Sequence, residues 1–155
     1  MAQIKENTGF FLKVTFAHVV TYMVCGMIAM KLFGYLNWIA DQSSWRDMGD
    51  PVIMALPLFQ IGRGVLYGIV LLLLKDSIVY SKYGIIKLYV ILIILGIFNT
   101  PAPSPGSIEG FVYLLPSEEP LRVKLGGMTE ILTQNLLFCI IVCTKWKGKK
   151  IRNEE

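Results

Sequence analysis

Four stretches of almost continuous apolar residues divide the chain, and polar segments separate them. The stretches cover residues 11–35, 52–74, 85–99 and 128–144. Roughly 17–25 apolar residues are enough for a helix to cross a hydrocarbon core of ~30 Å, and within lipid a helix satisfies all the backbone groups of such a segment internally. The pattern therefore predicts an all-α integral membrane protein. We expect a bundle of four transmembrane helices that forms a single domain over residues 1–155.

The composition agrees with a membrane domain. Hydrophobic residues make up 54% of the 155 residues and charged residues only 17%, against about 25% charged residues in soluble domains. The net charge of +4 is concentrated near the end of the chain, where five of the fifteen Lys and Arg residues lie between residues 145 and 152. A basic segment directly after an apolar one is typical of a cytoplasmic flank. No nucleic-acid partner is therefore expected.

The distribution of basic residues also predicts the orientation of the helices. The short connection 75–84 contains Lys75 and Lys82, whereas the connections 37–50 and 100–127 show no excess of basic over acidic residues. Because Lys and Arg accumulate on the cytoplasmic side of a membrane, we expect both termini in the cytoplasm. The long connection 100–127, between the third and fourth helices, is then extracytoplasmic, and the expected location is the plasma (inner) membrane.

Neither a cofactor nor a metal site is predicted. Cys25, Cys139 and Cys143 lie inside apolar stretches and are interpreted as packing residues. The single histidine cannot form a His-based metal centre in one chain. The motifs HExxH, GxxxxGK[ST], GxGxxG and GxSxG are all absent from the sequence. These observations leave the question of catalysis open.

The second apolar stretch contains Arg63, which is costly in lipid. A charged side chain at the centre of a membrane costs from about 2.5 to more than ~10 kcal/mol unless it faces protein or water. Gln60, Gly64 and Gly68 recur every four residues beside it, so they share one helix face. The spacing Gly64-x-x-x-Gly68 is typical of closely packed membrane helices. We therefore expect this face to pack against another helix.

Polar residues of other stretches predict a pocket around Arg63 in the outer half of the bundle. Glu130 has two open interpretations: it pairs with Arg63, or it lies in the first turn of its helix and interacts with the positive end of the dipole. Gln134 is one turn beyond Glu130, at a depth similar to that of Arg63. The predicted pocket consists of Arg63, Gln60, Glu130, Gln134, Asn99 and Asn135.

His18 is predicted to lie deeper than this pocket, on the same helix face as Tyr22. A histidine within a membrane helix can relay protons, and it can also make a single interhelical hydrogen bond. Both interpretations are open. The connection 100–127 is unusually long, and loops of this length are often functional. Its apolar middle, residues 108–115, predicts that it lies on the bilayer or folds over the bundle.

Three classes of function are compatible with these features. The first is a binding or accessory protein that holds a small polar or anionic ligand, a lipid headgroup or a partner helix. The second is a transporter or channel subunit, and the third is a membrane-embedded enzyme that acts on a lipid-like substrate. The first is preferred because the sequence shows no internal repeat and no paired catalytic groups. Membrane lipids, a small ligand, and a second copy or another membrane protein are the expected partners.

Overall fold

The computed structural model describes residues 2–34, 46, 49–100, 104, 106–113 and 120–144. All regular elements in these ranges are helical. The basic segment 145–152, most of the connection 37–50 and much of the connection 100–127 lie outside the described residues. The elements are α1 (Ala2–Phe33), α2 (Pro51–Met54), α3 (Leu56–Leu73), a π-helical turn (Lys75–Val79), α4 (Gly84–Ile93), a second π-helical turn (Ile94–Phe98), α5 (Ile108–Tyr113) and α6 (Leu121–Cys143).

Three helices, α1, α3 and α6, are long and apolar enough to cross a membrane. This confirms the coarse prediction of an all-helical chain with apolar helices of membrane-spanning length. The third predicted span corresponds to the shorter apolar helix Gly84–Phe98. It combines α4 with the π-helical turn that follows, and it ends where the Asn99 N–H donates to the Ile94 carbonyl at 2.8 Å.

The helix α1 lies between α3 and α6 and runs antiparallel to both. Gln60 of α3 is bonded to His18 of α1, and Gly68 of α3 lies against Phe11 of α1. Residue numbers therefore increase along α3 while those of the contacting residues decrease along α1. The same reversal holds along α6, where the Val142 carbonyl accepts from Lys13 at 3.0 Å. The buried core forms where these helices meet. It includes Val14, Ala17, Leu71, Phe138, Cys139 and Val142.

Two glycines of α3 make the contact with α1 close. A Cβ on Gly64 would lie 2.9 Å from the Thr15 carbonyl oxygen, and one on Gly68 would lie 2.7 Å from the Phe11 ring. Both distances are shorter than real contacts of a Cβ atom. A side chain at Gly64 would meet the backbone of α1 and force the helices apart, whereas one at Gly68 would have to displace the Phe11 ring. Small residues allow membrane helices to approach in this way.

Two helices begin well before the starts that the apolar pattern predicted. α1 begins at Ala2, where residue 11 was expected, and α6 begins at Leu121, where residue 128 was expected. The added turns are polar or glycine-containing, so the apolar pattern did not include them. Contacts between helices stabilise both: Lys75 bonds to Glu6 in the first turns of α1, and Arg122 donates to the Leu32 carbonyl.

The chain turns sharply between α3 and α4. After the π-helical turn Lys75–Val79, α4 begins at Gly84. A Cβ on Gly84 would lie 2.3 Å from the Val79 carbonyl oxygen, so only glycine fits at this close approach. At the other end of α3, Asp50 caps α2 by accepting from the Val52 N–H at 2.7 Å. This bond, together with Arg46, holds the pKa of the Asp50 carboxyl below its usual value.

Candidate functional site

A layer of polar and aromatic side chains lies where α1, α3 and α6 meet. His18 is only 3% exposed, and its Nε2 donates to Gln60 Oε1 at 3.2 Å. The rings of Tyr67 and Phe138 lie 4.9 Å and 6.1 Å from the His18 ring, centre to centre. The apolar pattern predicts different depths for His18 and Gln60, whereas in the structure the two side chains are hydrogen-bonded. This is the interhelical hydrogen bond that was one of the two open interpretations of His18.

Arg63 lies one turn from Gln60, at the edge of the α1–α3 contact. Its guanidinium carbon lies 5.9 Å from the centre of the Tyr22 ring, while the residue as a whole is exposed. Tyr22 in turn lies beside His18, with 6.2 Å between ring centres. Among the residues that the structure describes, no carboxylate lies within ion-pair distance of the Arg63 guanidinium. The contact with Tyr22 uses none of its hydrogen-bond donors.

Glu130 approaches α1 from the side of α6. Its Oε1 lies 3.4 Å from the position that a Cβ on Gly26 would occupy. Gly26 is one turn beyond Tyr22, so Arg63 and Glu130 meet neighbouring turns of α1 without forming an ion pair with each other. Because α6 begins at Leu121, Glu130 is not in the first turn of its helix, and the dipole interpretation of this residue is wrong.

The remaining residues of the predicted pocket are arranged unequally. Gln134 is one turn from Glu130 and one turn from Phe138, which places it level with Tyr22. Asn135 donates to the Ile131 carbonyl of its own helix at 3.0 Å. Asn99 is exposed at the end of the second π-helical turn. The structure shows no hydrogen bond from either asparagine side chain to another described member of the predicted pocket.

Lys75 has a structural role beyond the expected one of marking the cytoplasmic side. Its side chain is buried, and its Nζ donates to Glu6 Oε1 at 3.2 Å and to Asn7 Oδ1 at 3.1 Å. The rings of Phe10 and Tyr80 lie 5.7 Å and 5.5 Å from the same nitrogen. One lysine therefore joins the start of α1 to the turn after α3. A charged residue directly at the end of an apolar stretch was the signal in the sequence.

Two further basic side chains bind backbone carbonyls at helix ends. Lys13 donates to the carbonyls of Val142 and Thr144, at 3.0 Å and 2.6 Å, where α6 ends. Arg122 donates to the Leu32 carbonyl, where α1 ends. Cations are stabilising at the carboxyl end of a helix because the last carbonyls lack partners within the helix. The two antiparallel helices thus cap each other at opposite ends of the bundle.

The described residues hold no group of three or more His, Cys, Asp or Glu side chains arranged as metal ligands. The chemistry available beside Tyr22 is that of the Arg63 guanidinium, which can donate hydrogen bonds. We found no family model, no curated protein and no solved structure that is similar to this chain.

Proposed function

We propose that this chain is a binding or accessory protein of a membrane and that Arg63 holds an anionic group. The observation that carries the proposal is the state of the guanidinium, which is exposed and has the Tyr22 ring as its contact. A cation in an apolar helix needs a partner or water. Since the described part of the chain supplies no carboxylate at ion-pair distance, a bound molecule is the natural source of one.

The depth of Arg63 strengthens this argument. The residue is thirteen positions after Asp50 and twelve before Lys75 (63 − 50 and 75 − 63), which are the charged residues on either side of it along the α2–α3 segment. Within α3 itself, Arg63 is seven residues from Leu56 and ten from Leu73, which is about 10 Å and about 15 Å at a rise of 1.5 Å per residue. Arg63 is therefore near the middle of the span, where the cost of an unpaired charge is greatest.

The chemistry of the guanidinium favours a carboxylate or a phosphate. Its planar fork donates two parallel hydrogen bonds to such a group, and lysine cannot reproduce this geometry. His18 and Gln60 are hydrogen-bonded to each other, and His18 packs beside Tyr22. We assign them a structural part, and we assign the recognition of the anion to Arg63.

The proposal includes a finer topology than the helix lengths alone establish. In this topology the chain crosses the plasma (inner) membrane four times, both termini are in the cytoplasm, and the connection 100–127 is outside. Cysteines introduced as Ser104→Cys and Ser117→Cys should react with an impermeant thiol reagent added to intact cells, whereas Ser81→Cys should not. The unmodified chain sets the background from its own cysteines. The reverse pattern of labelling would overturn the orientation.

The function is tested by purifying wild type, Arg63→Lys and Arg63→Gln under the same mild conditions. Native mass spectrometry then measures the molecules that remain bound. We expect both variants to keep their helical content and to lose an anionic ligand or an acidic partner that wild type retains. The matched control is Arg46→Lys, because Arg46 is also exposed but pairs with Asp50 at 3.0 Å. Identical bound molecules in all four proteins would contradict the proposal.

A further inference from the structure

We infer that the anionic group held by Arg63 is a carboxylate on a transmembrane helix of another membrane protein. This inference rests on the proposed function and names its partner. It concerns the outward face of α3, which contains Phe59, Gly62, Arg63, Leu66 and Val70 and is called the α3 docking face below. These positions follow one another at intervals of one, three or four residues and so lie on one side of the helix.

The depth of Arg63 favours a carboxylate carried by a protein over a lipid phosphate. Lipid headgroups lie outside a hydrocarbon core of ~30 Å. Arg63 is seven residues from the first and ten residues from the last residue of α3, about 10 Å and about 15 Å along the helix, and an extended arginine side chain spans only part of either distance. A carboxylate carried on a second helix reaches this depth directly, because its own helix places it there.

The shape of the α3 docking face fits a second helix. Nothing lies within 4 Å of the position that a Cβ on Gly62 would occupy, so the surface beside Arg63 is open. Phe59 and Leu66, which are 57% and 64% exposed, flank this opening. A glycine between larger residues lets another helix approach closely. The opposite face of α3 uses Gly64 and Gly68 in the same way against α1.

The charges within the chain favour a different protein over a second copy as the partner. Among the described residues of the three long apolar helices, the carboxylates are Glu6 and Glu130. Glu6 is bonded to Lys75, and Glu130 lies against Gly26 inside the α1–α6 contact. Neither is presented on an outward face beside Arg63, so the described part of these helices does not supply the complementary acid and a different protein is the favoured source.

The experiment uses the full-length protein in phosphatidylcholine vesicles with labelled polyleucine transmembrane peptides. One peptide carries a single central Glu, and the matched peptide carries Gln at that position. Energy transfer between protein and peptide reports association. We expect the Glu peptide to bind wild type at least about tenfold more tightly than the Gln peptide. Arg63→Gln should abolish the difference, and Gly62→Leu should weaken binding of both peptides.

The matched control for Gly62→Leu is Gly96→Leu, because Gly96 is also exposed and also has nothing within 4 Å of its Cβ position, but lies on another helix. This control should bind like wild type. Equal binding of the Glu and Gln peptides to wild type would overturn the inference. So would Arg63-dependent energy transfer between labelled copies of the protein, or an Arg63-dependent requirement for anionic phosphatidylglycerol.

These outcomes separate the inference from the proposed function. If Arg63→Gln loses a bound anion in native mass spectrometry but wild type binds the Glu and Gln peptides equally, the partner assignment is wrong and the binding role stands. If Arg63→Gln changes neither measurement, both are wrong.

Discussion

Lys75 and Arg63 are two cations of the same chain segment with opposite surroundings. Lys75 is 5% exposed and bonds to a carboxylate and an amide between two aromatic rings. Arg63 is exposed, with one ring contact, that to Tyr22. The cation at the end of the apolar segment bonds to side chains of its own chain, and the cation in the middle has no ion pair among the described residues. The difference teaches that Lys75 stabilises the fold and that Arg63 is available for binding.

The largest expected effect is that of Lys75→Met. It removes the ion pair with Glu6 and the link between α1 and the turn after α3. We therefore expect the free energy of unfolding to fall by about 3 kcal/mol, the lower end for a buried pair because Glu6 is partly exposed. Thermal unfolding in detergent, followed by circular dichroism, measures this loss. Lys82→Met is the control, because Lys82 is exposed and lies over the Tyr83 ring. Equal stability of the two variants would erase the distinction.

A smaller loss is expected from Gln60→Leu, one turn from Arg63. The variant leaves the buried His18 without its hydrogen-bond partner, which costs about 1–3 kcal/mol. The double variant His18→Leu with Gln60→Leu should recover part of this loss, since neither of the two positions then holds a buried polar group without a partner. The same unfolding measurement tests the pair. Additive losses would show that the two side chains do not stabilise each other.

Lys13→Met tests a cation that binds the backbone carbonyls of Val142 and Thr144. The variant loses two hydrogen bonds at the carboxyl end of α6, and we expect a loss of about 1 kcal/mol. Lys5→Met is the matched control, because Lys5 is on the same helix and exposed. Hydrogen exchange of the last turn of α6 should accelerate in Lys13→Met alone. Unchanged exchange would mean that this cap contributes nothing.

The smallest expected change in stability is that of Arg63→Gln. Because the guanidinium has no carboxylate among the described residues, its removal should lower the unfolding free energy of the isolated protein by no more than about 0.5 kcal/mol. Its effect should appear in binding instead. A loss as large as that of Lys75→Met would make Arg63 a structural residue and would remove the contrast with Lys75.

The apolar stretches were sufficient to predict α1, α3 and α6 because burial in lipid imposes a strong pattern on composition. They could not predict the first turns of α1 or α6, which depend on Lys75 and Arg122 reaching across to other helices. The depth of each residue estimated from the sequence also could not predict the contact between His18 and Gln60. The register between two helices depends on close contacts such as that of Gly64 with Thr15. The position of Arg63 along α3 was readable, whereas its neighbour Tyr22 was not.

The mutual capping of α1 and α6 constrains the order in which the protein can be assembled during synthesis. Arg122 is 90 residues from Leu32, and Lys13 is 129 residues from Val142. α1 emerges from the ribosome first and can pair with α3 soon afterwards. Its carboxyl end, however, is capped only after Arg122 has been synthesised. A nascent chain halted after residue 100 should therefore contain the α1–α3 hairpin with an open side, on which α6 docks as the closing step of biogenesis.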